Sequence, residues 1–430
     1  KHQAMHDKLA RAARAGEASP FNRYEGPEAP ELIIITSGTG WDYSREAVEL
    51  LHLQERVGVL KLGLTWPLPS GWLKPFLAKA AKFLFIEEVD PFLEGGVKEF
   101  AAQIGPEIGV KAFFGKGSGH VPAWGEQTPD RVIEALRRIF AIPYETREAA
   151  YDQKAAEWIK ELVPPREFGF CPGCPHRATY WSIKKALKLD GRGGFVAGDI
   201  GCYTMGIFPT GFQQIKTVHA MGSGVGLMSG YGQLVPFGFS QPVISVVGDS
   251  TFFHAAIPAV INLVHNHARA VLLVLDNQAT AMTGFQPHPG LAVNVLDQPA
   301  PAIPMESLCA SLGVPVTILD PYELENNTRV IYRALQETEG VQVLILRRTC
   351  ALVQGRAGGY PYIPTVDPAR CLGDSCGCHR FCSRVFRCPG LIWDAESGRA
   401  RIDEVICVGC GVCGQICPRG AITLEQKGAA

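Results

Sequence analysis

From residue 31 to about 145, short apolar runs alternate with amphipathic stretches. ELIIITSG, VGVLKLG, KFLFIEEVD and VKAFFGK have strand length, while SREAVELLHL, GWLKPFLAKAA and TPDRVIEALRRIF carry the apolar repeat of helices. Strands that are apolar on both faces are covered on both sides. The alternation therefore predicts an open, mostly parallel sheet flanked by helices over 31–145. Residues 1–30 read as a polar, helical lead-in ending in the loop FNRYEGPEAP. A polar linker helix over 146–165, broken by the Pro-Pro pair at 164–165, leads to a second unit over 166–355. Its expected strands are GFVAGD, PVISVVGD, AVLLVLDN, VPVTILD and VQVLILRR. Residues 356–366 read as a linker, and 367–424 as a third unit too short for an apolar core of its own, which needs metal as a staple. The predicted class is α/β: two open, mostly parallel-sheet domains and a small tail.

Composition narrows the function. A chain of 430 residues with 47% hydrophobic and 19% charged residues is globular, and a net charge of −1 gives no footprint for nucleic acid or an anionic membrane. No apolar stretch approaches the ~20 residues of a membrane-spanning helix, and no secretory signal is visible. The first residue is Lys1, which suggests a processed product or part of a longer chain. The fourteen cysteines change the picture most. In a reducing, cytoplasmic setting such a number points to metal ligands rather than disulfides. Nine lie between Cys371 and Cys417; Cys171, Cys174, Cys202, Cys309 and Cys350 are scattered. Cys309, in the apolar context MESLCASLG, reads as a small buried hydrophobe.

Ligands of open parallel sheets bind at the carboxyl ends of the strands. Three expected strands end there in polar residues: Asp199, Asp249, and Asp276 with Asn277. In VVGDSTFF, Gly248 lets the backbone approach a ligand, and a helix with Ser250 and Thr251 as caps favours a diphosphate. Asp249 and Asn277, with the Ala279 carbonyl, offer oxygens to Mg2+. The alternative is an ordinary strand–turn–helix with capping residues. The stretch resembles the thiamine-diphosphate motif, GDG followed by NN, with Ser250 replacing the last glycine and Asp276-Asn277 replacing NN. Gly222-Ser223-Gly224 is either a second glycine-rich approach to the cofactor or a closely packed helix.

In the tail, CVGCGVCGQICP has the bacterial ferredoxin spacing C-x2-C-x2-C-x3-C-P, whose first three thiolates serve one [4Fe–4S] cluster and whose fourth serves its neighbour. Zinc is the alternative. A swapped pair then places Cys388, Cys407, Cys410 and Cys413 on one cluster. Cys417 and three of Cys371, Cys376, Cys378 and Cys382 take the other, with Cys378 as the spare. The pair Cys171 and Cys174, in FGFCPGCPHR, is by itself a zinc clasp, a redox disulfide or half of an iron–sulfur site.

With CPGCPHR, GDIGCY, GDSTFF, LDNQATAMTGFQPHPG and the two-cluster tail in that order, the chain resembles the large (alpha) subunit of indolepyruvate ferredoxin oxidoreductase, among the 2-oxoacid:ferredoxin oxidoreductases. The resemblance runs from about residue 20 to 424. It implies that 31–145 is a transketolase-C-terminal-like domain and that 166–355 binds the diphosphate. It also implies a reaction: an aryl 2-oxoacid is decarboxylated on thiamine diphosphate, the product is oxidised through [4Fe–4S] clusters, and coenzyme A takes the acyl group. A cluster beside the thiamine, on Cys171, Cys174, Cys202 and Cys350, would make the third. Cys202 and Cys350 both follow strand ends, where they can converge.

The family's pyrimidine-binding domain has no counterpart here, so it is expected on another chain or on an amino-terminal part outside this sequence. A small gamma-type (beta) subunit and ferredoxin are the other expected partners in a hetero-oligomer. His176 and Arg177 could face substrate or the diphosphate. Thr280, Met282 and Thr283 fall where the family's cofactor loop runs, with Met282 placed to pack against the thiazolium. His254 and His288 are further candidates for substrate contact. A thiamine-dependent decarboxylase lacking electron transfer, or an iron–sulfur electron-transfer subunit, would each explain only part of this pattern.

Overall fold

The strand pattern read from the sequence recurs in a computed structural model that describes residues 1–145, 147–163, 167–337 and 339–427. The Pro-Pro break placed at 164–165 lies outside the described residues. The chain divides into two units, Lys1–Pro164 and Pro165–Ala430.

In the first unit, β2 (Leu32–Thr36), β3 (Val57–Lys61), β4 (Lys82–Ile86) and β5 (Ala112–Phe114) form a parallel sheet in the order β3-β2-β4-β5. Every residue of β2 is buried because helices cover both faces. Leu32 and Ile34 pack with Val48, Ile133 and Leu136 on one side, and Ile33 and Ile35 pack with Leu73, Leu77 and Val97 on the other. The lead-in departs from expectation. It begins as a helix, His2–Glu17, but the supposed loop at 21–30 contains β1 (Arg23–Glu25), which pairs antiparallel with β3 and extends the sheet.

The second unit carries five parallel strands in the order β6-β7-β8-β10-β9: β6 (Phe195–Ala197), β7 (Val243–Gly248), β8 (Ala270–Asp276), β9 (Val316–Leu319) and β10 (Val341–Arg347). All five expected strands are present. β7 and β8 are buried throughout, as β-branched and leucine-rich runs must be when both faces are covered. Cys309 is buried with Met305 and Val314, as a small hydrophobe.

The tail contains two antiparallel ribbons, β11 (Tyr362–Val366) with β14 (Ile422–Gln426) and β12 (Leu391–Asp394) with β13 (Arg399–Ile402). The expected linker at 356–366 is therefore corrected: its second half is β11, a strand of the tail. The tail also does not stand on metal alone. Phe386, Leu391, Ile402, Val412 and Ile416 join Trp181, Phe212 and Tyr360 in one apolar core shared with the β6–β10 domain. Trp181 meets Phe386 edge-to-face at 5.5 Å and Phe381 at 5.3 Å, contacts worth about 0.5–1.5 kcal/mol each beyond their area. Gln415 closes the seam, donating to the Tyr322 carbonyl at 2.8 Å while accepting the Leu324 N–H at 3.2 Å.

Candidate functional site: a cofactor edge beside a cysteine tail

The carboxyl ends of four adjacent strands carry the candidate chemistry in strand order. Cys202 follows β6, Asp249 follows β7, Asn277 follows β8 and Cys350 follows β10. The parallel register sets Arg347 opposite Asp276, so the segments holding Asn277 and Cys350 leave the sheet side by side. There the Cys350 N–H donates to the Asn277 carbonyl at 2.9 Å.

Asp249 is 2% exposed and is held from two directions. Its Oδ1 accepts the Ser250 N–H at 2.7 Å and its Oδ2 accepts the Ala279 N–H at 3.2 Å. The helix N-terminus after β7 is thus met by Asp249; Ser250 and Thr251, expected as caps, lie inside the helical turn Asp249–Thr251. A one-turn π-helix, Phe252–Ala256, follows before the helix Ile257–His265, an irregularity that often marks functional sites. His288, stacked on Phe253, brings its Nε2 to 3.2 Å from Asp249 Oδ2 but makes no hydrogen bond through that nitrogen. The Gly290 N–H donates to His288 Nδ1 at 3.2 Å, so Nε2 carries the proton in the neutral ring. His254 is exposed, and it does not line the cavity.

A solvent-open cavity of about 470 Å3 lies over this edge. Gly248, Asp249, Ser250, Thr251, Asn277 and Ala279 line it, and so do Met282 and Thr283 in the short turn Ala281–Thr283. His176 closes its floor, 3% exposed, with its pKa driven down to about 4 by burial against the opposing pull of Asp249. The donor set fits a magnesium diphosphate: one buried carboxylate, one amide oxygen and a backbone turn at the mouth of a helix. Asp276, in place of the motif's first Asn, instead accepts Arg347 Nε at 2.6 Å.

Three expectations change. Gly222, Ser223 and Gly224 do not line the cavity; Met221 does. The glycines are needed for packing, since a Cβ on Gly224 would lie 2.6 Å from the Gly198 carbonyl, and Gly222 has φ +86°. Asp199 holds this turn by accepting the Gly224 N–H at 3.1 Å, and Ser223 bonds the Ala220 backbone. Second, Arg177 does not line this cavity. It points to the tail, donating to the carbonyls of Phe170 (2.6 Å), Arg387 (2.7 Å), Phe386 (3.2 Å) and Thr210 (3.3 Å). Third, Tyr203 is a lining residue that the sequence reading missed. Its hydroxyl meets the Ile200 carbonyl at 2.7 Å and Thr251 Oγ1 at 3.1 Å, and its ring occupies the space a Gly248 side chain would need.

All fourteen cysteines are free. The Cys171 thiol is held up by burial and by Cys350, and the Cys202 thiol, pushed up to about 11, by burial, Cys350 and Cys171. Cys174, pushed to about 12 chiefly by burial, lies next to Cys171. Cys171, Cys202 and Cys350 thus lie within electrostatic reach of one another, while Cys174 lines the cavity of the first tail cysteines. Cys388, Cys407, Cys410 and Cys413 line one tail cavity, and Cys371, Cys376, Cys378, Cys382 and Cys417 line another. Within the second set, burial and then Cys378, Cys417 and Cys371 act on the Cys382 thiol. Cys376 is half-buried, and its thiol pairs with that of Cys378. Among the described residues no three His, Cys, Asp or Glu side chains are grouped to hold a metal ion. A tetrahedral zinc site draws its thiolates to about 2.3 Å from one point. A cubane spreads them over four irons, and cysteines around a shared cavity suit it.

Comparison with known proteins agrees with this layout. Residues 199–346 match the family model "Thiamine pyrophosphate enzyme, C-terminal TPP binding domain", and residues 400–423 match "4Fe-4S binding domain". The indolepyruvate oxidoreductase subunit IorA of Methanothermobacter marburgensis is 39% identical over 98% of this chain and 64% of its own length. Those of Methanothermobacter thermautotrophicus (37%, over 99% and 65%) and Pyrococcus horikoshii (33%, over 100% and 66%) are similar. The chain thus spans slightly less than two thirds of these relatives. It is similar along its whole length to these indolepyruvate oxidoreductase subunits, and its matched thiamine pyrophosphate and 4Fe-4S binding domains share one apolar core.

Proposed function

We propose that the chain carries the diphosphate-binding and electron-exit parts of a thiamine-diphosphate-dependent 2-oxoacid:ferredoxin oxidoreductase. The reaction is the oxidative decarboxylation of an aryl 2-oxoacid of the indolepyruvate type to its acyl-CoA and CO2, with electrons passed to ferredoxin. The observation that carries this reading is the order Cys202, Asp249, Asn277, Cys350 along one sheet edge, with a cysteine tail sharing the core below it.

Asp249, Asn277 and the Ala279 carbonyl hold Mg2+ on the diphosphate. Gly248, Ser250 and Thr251 would line its seat, with Met282 and Thr283 on the wall of the same cavity. When bound, thiamine diphosphate supplies the stabilisation of the carbanion that decarboxylation leaves. His176 is kept neutral by burial, so it presents the cavity with an uncharged ring rather than a cation. Cys171, Cys174, Cys202 and Cys350 hold a proximal [4Fe–4S] cluster. Cys388, Cys407, Cys410 and Cys413 hold the next, and Cys371, Cys376, Cys382 and Cys417 the last, with Cys378 the spare. The Cys171–Cys174 loop rests on the Cys407–Cys413 loop: a Cβ on Gly173 would lie 2.4 Å from Val408 Cγ2 and 3.4 Å from Cys410 Cβ. The first two clusters thus come from loops in contact.

The pyrimidine-binding half of the cofactor site, a small gamma-type subunit, ferredoxin and coenzyme A complete the reaction, in a cytoplasmic hetero-oligomer. The test is anaerobic ferredoxin reduction by the chain assembled with those partners. Dependence on both an aryl 2-oxoacid and coenzyme A is expected. Aldehyde released without coenzyme A as the main product would overturn the oxidative reading, and reduction without any 2-oxoacid would reduce the chain to an electron-transfer subunit.

A further inference from the structure

Arg177 stands between two sets of thiols. It is 2% exposed and lines the cavity of Cys388, Cys407, Cys410 and Cys413, as does Cys174. Burial disfavours its charge, while the sulfurs of Cys388, Cys174, Cys171 and Cys410 all favour it. Two of its nitrogens are spent on the carbonyls of Phe170, Thr210, Phe386 and Arg387, which fix the guanidinium in place. The buried Nε–H has no partner among the described residues. An unmet buried donor is destabilising, more so on a charged group, so this N–H needs an acceptor, and the cavity it lines is walled by sulfur.

We infer that Arg177 sets the reduction potential of the tail cluster on Cys388, Cys407, Cys410 and Cys413, its charge and its free Nε–H favouring the reduced state. The inference rests on the cluster assignment proposed above. Each transfer moves one electron: the proximal cluster is oxidised by one, the tail cluster is reduced by one, and Arg177 neither gains nor loses a proton. A fixed cation in a water-poor site stabilises the added negative charge. Hydrogen bonds to cluster sulfur are a recognised means of shifting its potential.

The test is an EPR-monitored redox titration of the full chain, loaded anaerobically, with iron and sulfide measured alongside. The relevant signal is assigned by its loss in Cys407→Ser. In Arg177→Gln this signal should move to more negative potential by a tenfold or greater change in the one-electron equilibrium, about 59 mV. The other tail signal should stay in place. Arg177→Lys, which keeps charge but loses the Nε–H, should move it the same way by less. No shift at full iron content, or an equal shift of both tail signals, overturns the inference. If Arg177→Gln loses iron, Arg177→Lys decides: a negative shift supports the role and an unchanged potential refutes it. Absence of tail clusters from the unaltered chain would instead overturn the cluster assignment itself.

Discussion

The Cys350 N–H donates to the Asn277 carbonyl at 2.9 Å, joining a residue assigned to the proximal cluster to one assigned to magnesium through a single backbone bond. The bond belongs to the main chain, so it survives loss of the thiol. Cys350→Ser should therefore lose about four irons per chain while thiamine diphosphate affinity changes by less than about threefold. Iron analysis and calorimetric titration of the same anaerobic sample check both. Loss of both properties together would mean that the cluster itself props up the cofactor edge.

Asp249 accepts two backbone N–H groups as well as facing the cavity. Asp249→Asn keeps the shape and one acceptor but removes the charge a divalent cation needs. Thiamine diphosphate affinity in saturating Mg2+ should fall on the order of 100-fold, and turning an amide toward one of the two N–H groups should cost about 1–2 kcal/mol of folded stability. Calorimetry and urea unfolding of this variant separate the two.

Gly173 has φ +67°, and a side chain there would run into Val408. Gly173→Ala should cost about 1–2 kcal/mol for the left-handed backbone alone and push the two cysteine loops apart. The expected signature is a weaker magnetic interaction between the proximal and tail cluster EPR signals at unchanged iron content.

Cys376 and Cys378 make an internal control. Cys378→Ser should retain full iron content, whereas Cys376→Ser should lose one cluster. The reverse result would make Cys376 the spare.

In the first unit, Glu87 accepts the N–H groups of Leu93 (2.7 Å) and Glu94 (2.9 Å) at the start of the helix Phe92–Gln103. Burial outweighs these bonds and raises its pKa above the ordinary 4.5. The folded state therefore keeps this proton to higher pH than the unfolded state does. The associated stability is complete below pH ~4.5 and is lost as pH rises through the folded value. Glu87→Gln should remove that decline and cost about 1–2 kcal/mol by turning an amide toward one N–H. Urea midpoints across pH 4–7 read both effects.

The two parallel sheets were legible because their central strands are apolar on both faces. β1 was not, since Arg-Tyr-Glu at a sheet edge has neither length nor alternation to announce it. Asp249, Asn277 and the tail cysteines could be read because metal and diphosphate chemistry restricts residue type and spacing. Asp199, Tyr203 and the partner of Asp276 act through contacts between distant segments, which no local spacing encodes. Arg177 shows the limit most clearly. Next to His176 in sequence, it seemed to share that residue's role, but one helical step turns the next side chain by about 100°. His176 therefore lines the cofactor cavity and Arg177 the cysteine cavity.

The core shared by Trp181, Phe212 and Phe386 has a kinetic consequence. A ferredoxin module on a flexible tether would deliver electrons by swinging, at a rate set by diffusion and slowed by a viscous solvent. A module wedged into its donor domain cannot swing. Its first internal hop crosses a gap fixed by packing, so that hop should run at the same speed in buffer and in concentrated sucrose.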